Sequence, residues 1–179
     1  MGCFVNHYTP EWLNDGITKE AMETFDISYS ISQNKIIIPH YNIKNQLIGI
    51  RGRALNSWEI IQYGKYMPVK IENKWYAHPL SLNLYGLNFS AENIQKRKVA
   101  IVFEGEKSVM LYDSIFGSEN NISVATCGSS ISMIQVNFIR NLCNVEEVVL
   151  AYDKQFQEIG DDEYKKDVKD LLLLNFSCV

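Results

Sequence analysis

Two carboxylates stand out by the residues that precede them. In KVAIVFEGEK, residues 98–107, a short run of Val, Ala, Ile and Phe ends abruptly on Glu104, and in VVLAYD a second apolar run ends on Asp153. Short Val/Ile-rich runs bounded by charge are the pattern of strands buried on both faces, as in a parallel sheet covered by helices. Ligands of open α/β sheets collect beyond the carboxyl ends of the strands, so a carboxylate that closes such a run stands where chemistry usually occurs. Two of them suit a hard divalent cation, Mg2+ or Mn2+, which takes oxygen ligands and leaves positions for phosphate and water. A cation held in this way can clamp both oxygens of an in-line phosphoryl displacement. From spacing alone, the pair fits carboxylates that merely cap loops equally well.

Positioning that pair requires strands and helices in alternation, and the sequence supplies them. The pattern predicts a strand over Val99–Phe103, a helix from about Lys107 to Phe116 ended by Gly117, a strand over Ile122–Ala125, a helix over Ser130–Leu142 and a strand over Val148–Tyr152. A βαβαβ order implies parallel strands with right-handed crossovers, which bring Glu104, the Thr126–Ser130 turn and Asp153 to one edge. Ser130, ahead of its helix, reads as an N-cap, and Met133 and Phe138 lie at helical spacing as core residues. Cys127 has no histidine near it in sequence and reads as a small buried residue rather than a nucleophile. The charged stretch Gln157–Asp170 reads as a solvated helix face, followed by Leu171–Val179 with no further strand.

The first half differs in character. Residues 1–27 predict two short helices, with Thr18 as an N-cap. KIIIPHYNIKNQLIGIRGRAL reads as a hairpin whose second strand is Leu47–Ile50, and Pro39 pushes the first strand toward a sheet edge. That hairpin delivers Arg51 and Arg53, about 7 Å apart on one side of an extended chain, the spacing of a phosphate clamp. From Asn56 to Ser90 the chain is rich in aromatics and reads as loops and short strands. Lys65, Lys70 and Lys74 alternate there with aromatic residues, a pattern able to hold a single strand by charge and stacking. For most of these aromatics the preferred reading is the core of a small α+β lobe.

Length and composition narrow the class. At 179 residues and 46% hydrophobic content the chain can bury a substantial core, and a net charge of −4 does not point to a diffusely basic nucleic-acid binder. Cys3, Cys127, Cys143 and Cys178 form no C-x-x-C pair, which argues against a disulfide framework or zinc site and for a reducing, cytoplasmic setting. No secretory leader pattern is present and Leu171–Leu174 is too short to span a bilayer, so no membrane association is expected.

VFEGEKS, VATCGSSIS and VVLAYDKQ, in that order and spacing, resemble the Toprim domain shared by bacterial-type primases, topoisomerases and some nucleases. The resemblance extends upstream: KIIIPHYNIKNQLIGIRGRAL, GKYMPV and LYGL are similar to the N-terminal basic lobe of the primase polymerase core, which topoisomerases lack. EGEKS is similar to the phage and mobile-element variety, and the matches cover about residues 15–155. The resemblance implies an α/β fold with a Toprim-like parallel sheet flanked by helices over 97–179, preceded by a smaller α+β basic lobe over 1–96. It implies a DNA primase that makes RNA primers from ribonucleoside triphosphates on single-stranded DNA, with Mg2+ or Mn2+ and with a replicative helicase as a further partner. A Toprim nuclease, or a catalytically silent Toprim module that binds nucleic acid or a partner, stands beside that reading.

Carried over by position, Glu104 and Asp153 are the catalytic, metal-holding carboxylates, and Gln155 stands where the family places the second Asp of its D-x-D. A glutamine offers an oxygen without its charge. Ser108 occupies the position four after Glu104 where the family often has Asp. Arg51, Arg53, Lys65, Lys107, Gly128 and Ser129 are the implied contacts to nucleic acid or nucleotide. The zinc-binding module and trailing helical region of such primases have no counterpart here, so the chain reads as an excised core, truncated at its C-terminal end.

Overall fold

The computed structural model describes residues 4–142, 144–153 and 157–174. Two compact units form, one from 1–78 with 110–118 and the other from 79–109 with 119–179.

The first unit is built on a four-stranded antiparallel sheet in the order β1 (Ser28–Ser30), β2 (Lys35–Tyr41), β3 (Leu47–Ala54) and β4 (Tyr66–Pro68). Helices α1 (Pro10–Asn14) and α2 (Lys19–Thr24) precede it, and the Thr18 side chain accepts the Ala21 N–H as the expected cap of α2. Ile36, Ile37 and Ile38 are all buried, so β2 is covered on both faces. Ile37, Ile50 and Val69 form one cluster, against which Phe4, Ile71 and Tyr76 pack. The β2 strand lies inside the sheet rather than at its edge, contrary to the reading of Pro39. The reason is local: β1 pairs only with Lys35–Ile37, and Ile50, the partner of Pro39, turns its N–H and C=O to Tyr76 and Val69 instead. The proline nitrogen therefore faces a side that β1 has already left, where no donor is required.

Strand β3 continues through Arg51–Ala54. Beyond it the sequence reading missed helix α3 (Ser57–Tyr63), whose residues include none that is buried. A two-stranded ribbon, β5 (Lys70–Ile71) and β6 (Lys74–Trp75), completes the unit. Core burial of the aromatics fails at Trp58, Tyr63 and Trp75, which are exposed by 62%, 54% and 58%, whereas Tyr85, in the second unit, is buried.

The second unit contains the expected parallel sheet, in the order β8 (Ser123–Ala125), β7 (Val99–Phe103), β9 (Glu147–Ala151), with β7 central. Helix α4 (Leu87–Arg97), also missed, leads into β7 through Lys98 in the left-handed conformation. Helix α5 (Glu106–Phe116) follows β7, and its residues from Met110 onward group with the first unit. The helix expected over Ser130–Leu142 is shorter: α6 runs Met133–Asn137 and relaxes into a π turn over Phe138–Leu142. Its N-cap is Ser132, not Ser130, because Ser132 and Gln135 form a reciprocal capping box. This shift in phase buries Val136 and Ile139, leaves Phe138 half-buried, and exposes Met133 by 52%, against the expectation that Met133 belongs to the core. Helix α7 (Asp162–Leu174) turns most of its charge to solvent and buries Asp170 and Leu174, one turn apart. Among the described residues no helix is long and apolar enough to cross a membrane.

Candidate active site at the carboxyl edge of the parallel sheet

Parallel pairing fixes which residues share an edge. Phe103 on β7 stands opposite both Ala125 on β8 and Ala151 on β9, so the three strands end together. Glu104 follows the central strand, the Thr126–Ser130 turn follows β8, and Tyr152 and Asp153 follow β9. The sequence expectation for these positions and the observed register agree. Neighbouring strands are about 4.8 Å apart, so carboxylates leaving β7 and β9 start from adjacent rails. Glu104 is half-buried and Asp153 exposed. Glu106, the first residue of α5, is buried.

The turn after β8 is tied to this edge. The Thr126 N–H donates to the Phe103 carbonyl at 3.1 Å, its hydroxyl donates to the Gly128 carbonyl at 2.7 Å, and the Tyr152 hydroxyl approaches Thr126 Oγ1 at 3.4 Å. Cys127, between them, has φ of +57°, a left-handed conformation uncommon for a residue with a side chain. It is half-buried and its Sγ donates a weak contact to the Ala125 carbonyl at 3.9 Å. Gly128 and Ser129 are exposed, and a Cβ at Gly105 or Gly128 would meet no heavy atom within 4 Å, so the backbone at both positions faces open space. Burial holds the Tyr152 phenol well above its ordinary pKa against the opposing Thr126 contact, helped by the negative charges of Asp170, Glu104 and Asp167. Tyr152 thus stays a neutral hydroxyl donor at this edge.

Sequence reasoning missed two residues that shape the site. Gln135 is buried, and its side-chain amide donates to the carbonyls of Leu80, Asn83 and Thr126 at 3.2, 2.8 and 3.1 Å while its oxygen accepts the Ser132 N–H at 2.9 Å. The S-x-x-Q spacing of Ser132 and Gln135 was a legible signal for the cap, though not for the three carbonyls. Asp170, buried on α7, accepts the Ile131 N–H at 2.9 Å and so anchors the far end of the turn. Nothing local in a charged helix marks that aspartate from its neighbours.

In the first unit, Arg51 and Arg53 lie on one face of β3, opposite Ile38 and Ile36 of β2. Their environments differ. Arg51 is half-buried, with its guanidinium 5.3 Å from the Tyr66 ring centroid, whereas Arg53 is only 8% exposed and pairs with Glu11 at 3.4 Å. The Arg53 Nε–H is buried without a hydrogen-bond partner. Lys65 is exposed and Lys107, in the first turn of α5, is half-buried. Gln155 lies outside the described residues.

No family model matches the chain. Among curated proteins, the SPbeta prophage-derived uncharacterized protein YorJ of Bacillus subtilis (strain 168) is 38% identical over 156 residues, which is 86% of this chain and 41% of that protein. Among solved structures, the zinc-binding and RNA polymerase domains of the Aquifex aeolicus primase align with a TM-score of 0.70 at 20% identity, over 92% of this chain and 45% of that one. The chain has the primase-core fold. A second primase core, the DnaG catalytic domain bound to single-stranded DNA, aligns with a TM-score of 0.62 at 18% identity, over 90% of this chain and 58% of that one. The chain thus spans less than half the length of the prophage relative and about half that of the solved primases. Within the primase-core fold, its parallel strands are those that the Toprim resemblance singled out.

Proposed function

We propose that this chain is the nucleotidyl-transfer core of a primase, joining ribonucleoside triphosphates on a single-stranded DNA template. The observation that carries the reading is the register of the parallel sheet, which brings Glu104 and Asp153 to the same edge from adjacent strands. Their donor set fits a hard divalent cation: carboxylate oxygens from two strand ends, beside a glycine-bearing turn with room for phosphate. Glu104 and Asp153 would hold Mg2+ or Mn2+, with Gln155 as a neutral third oxygen, and the ion when bound would supply charge neutralisation to the triphosphate.

The remaining work falls to this chain's own groups. The exposed backbone at Gly128 and Ser129 meets phosphate oxygens, and Lys107 adds positive charge at the start of α5. Tyr152, held neutral, offers a hydroxyl to an oxygen at the edge. Arg51 and Lys65 take template or nucleotide phosphates, while Arg53 joins them by exchanging its Glu11 contact. Catalysis in such a site is mostly positioning and electrostatics.

Glu104→Gln is the test, because it preserves volume and removes charge. The variant should fold as the native chain does, lose Mn2+ binding measured by calorimetry, and lose metal-dependent primer synthesis in the full-length protein. Normal priming by that variant would refute the reading. A native chain that binds no Mn2+ even with nucleotide present would instead favour a silent Toprim-type module, a reading to which the Gln155 replacement lends support.

A further inference from the structure

The ribbon β5–β6 has two unlike faces. Lys70 stands opposite Trp75, and Ile71 opposite Lys74. Opposed residues share a face and strands alternate their side chains, so Val69, Ile71, Lys74 and Tyr76 fall on one face while Lys70 and Trp75 fall on the other. The first face is anchored: Val69 is buried, and Ile71 and Tyr76 pack on the Ile37, Ile50 and Val69 cluster. The second leaves Trp75 exposed by 58%. The Lys70 ammonium lies 5.9 Å from the Trp75 ring centroid, and the Lys74 ammonium lies 5.4 Å from that of Tyr76.

The ribbon is also rigidly turned. Glu72 and Asn73 form its two-residue loop with φ of +45° and +65°, the paired left-handed conformations of a type I′ hairpin turn. The Tyr76 N–H and carbonyl are engaged by Val69 and Ile50 at 2.9 Å each, and the Gln33 side chain donates to the Lys70 carbonyl at 3.0 Å. A large aromatic surface is therefore presented on a backbone fixed from both strands. In a chain of net charge −4, this short ribbon carries two lysines against one glutamate.

We propose that the outward face of the ribbon is a stacking platform for single-stranded DNA, with one base lying on Trp75 and the adjoining phosphate met by Lys70. A base has an apolar π face and an anionic linker on either side, which is the complement of an exposed indole with a cation next to it. Duplex DNA hides its base faces and does not fit. The proposal adds a strand contact in a different segment of the chain from the acidic edge, and rests on the functional reading above only in taking the strand to be DNA.

The test is fluorescence anisotropy with a labelled oligo-dT and the full 179-residue chain, without nucleotide or divalent cation. Trp75→Leu should weaken binding on the order of tenfold, whereas Trp75→Phe, which keeps an aromatic face, should retain most of it. With an abasic oligomer of the same length the Leu variant and the native chain should bind alike. Lys70→Gln should make the log–log salt slope shallower by about 0.7, and an unchanged slope in that variant would overturn the phosphate contact. Unchanged oligo-dT affinity in the Leu variant would overturn the proposal, as would an equal loss on the abasic strand or equal competition by duplex. The two readings fail separately: a chain that binds through Trp75 but makes no primer refutes only the primase assignment. One that primes while Trp75→Leu binds normally refutes only the platform.

Discussion

Replacing Gln135 by Leu should destabilise the second unit severely, although Gln135 touches neither candidate carboxylate. The side chain is 1% exposed and its amide reaches three carbonyls while its oxygen caps the Ser132 N–H. Leucine keeps most of the volume, so the cost is polar. The Leu80 carbonyl retains a bond from the Asn83 N–H at 3.2 Å, while the buried Asn83 and Thr126 carbonyls and the half-buried Ser132 N–H lose their bond to Gln135. A buried polar group that loses a hydrogen bond costs about 1–3 kcal/mol, so the two buried carbonyls with a smaller share from Ser132 amount to about 3 kcal/mol. That is a large part of the roughly 5–15 kcal/mol that holds an ordinary domain folded. Thermal melting followed by far-UV dichroism should show a Tm lower by about 10 °C. Gln135→Glu keeps the oxygen facing Ser132 but turns a second oxygen toward the carbonyls, so at neutral pH it should be no milder than Leu. Urea unfolding that places Gln135→Leu within about 1 kcal/mol of the native chain would show that the amide is not the hub its geometry suggests.

Burial holds the Asp170 carboxyl above the usual aspartate range, with the Ile131 N–H opposing it. The folded state therefore keeps that proton more tightly than the unfolded chain. The native state gains from it below the ordinary aspartate pKa and loses the gain as pH rises through the folded value. Asp170→Asn preserves an oxygen for Ile131 without titrating, so on going from acid to neutral pH its urea midpoint should rise more, or fall less, than that of the native chain. A smaller rise or a larger fall in the variant would contradict this. At Gly49 an added Cβ would lie 2.1 Å from His78 Nδ1, and the His78 ring already packs in a tilted arrangement against buried His40, with ring centroids 4.7 Å apart. Gly49→Ala should cost about 1–3 kcal/mol, and combining it with His78→Ala should cost clearly less than the two changes added, which a double-mutant cycle in urea would measure.

Much of the second unit was legible without coordinates. Val99–Phe103 is a strand because its run of apolar residues suits burial on both faces, and alternation with helices dictates parallel neighbours, so the edge shared by Glu104, Thr126 and Asp153 could be read from order alone. Thr18 was legible as a cap for the same reason: it is a local bond between a side chain and the backbone three residues on. What sequence left undecided depended on partners distant in the chain. Helix α3 has no buried residue to give it periodicity, so its pattern resembled loop. Met133 was placed in the core by spacing, yet the capping box at Ser132 sets the phase of α6 and turns it outward. Arg51 and Arg53 share a face as the alternation of a strand requires, but only the fold brings Glu11 to one and Tyr66 to the other. Asp170 and Gln135 act through backbone groups 39 and up to 55 residues away, and Trp75 is exposed because the opposite face of its ribbon is the one that packs. Periodicity and capping are properties of neighbouring residues and survive in the sequence, whereas burial and pairing are set by whichever surface the finished fold brings alongside.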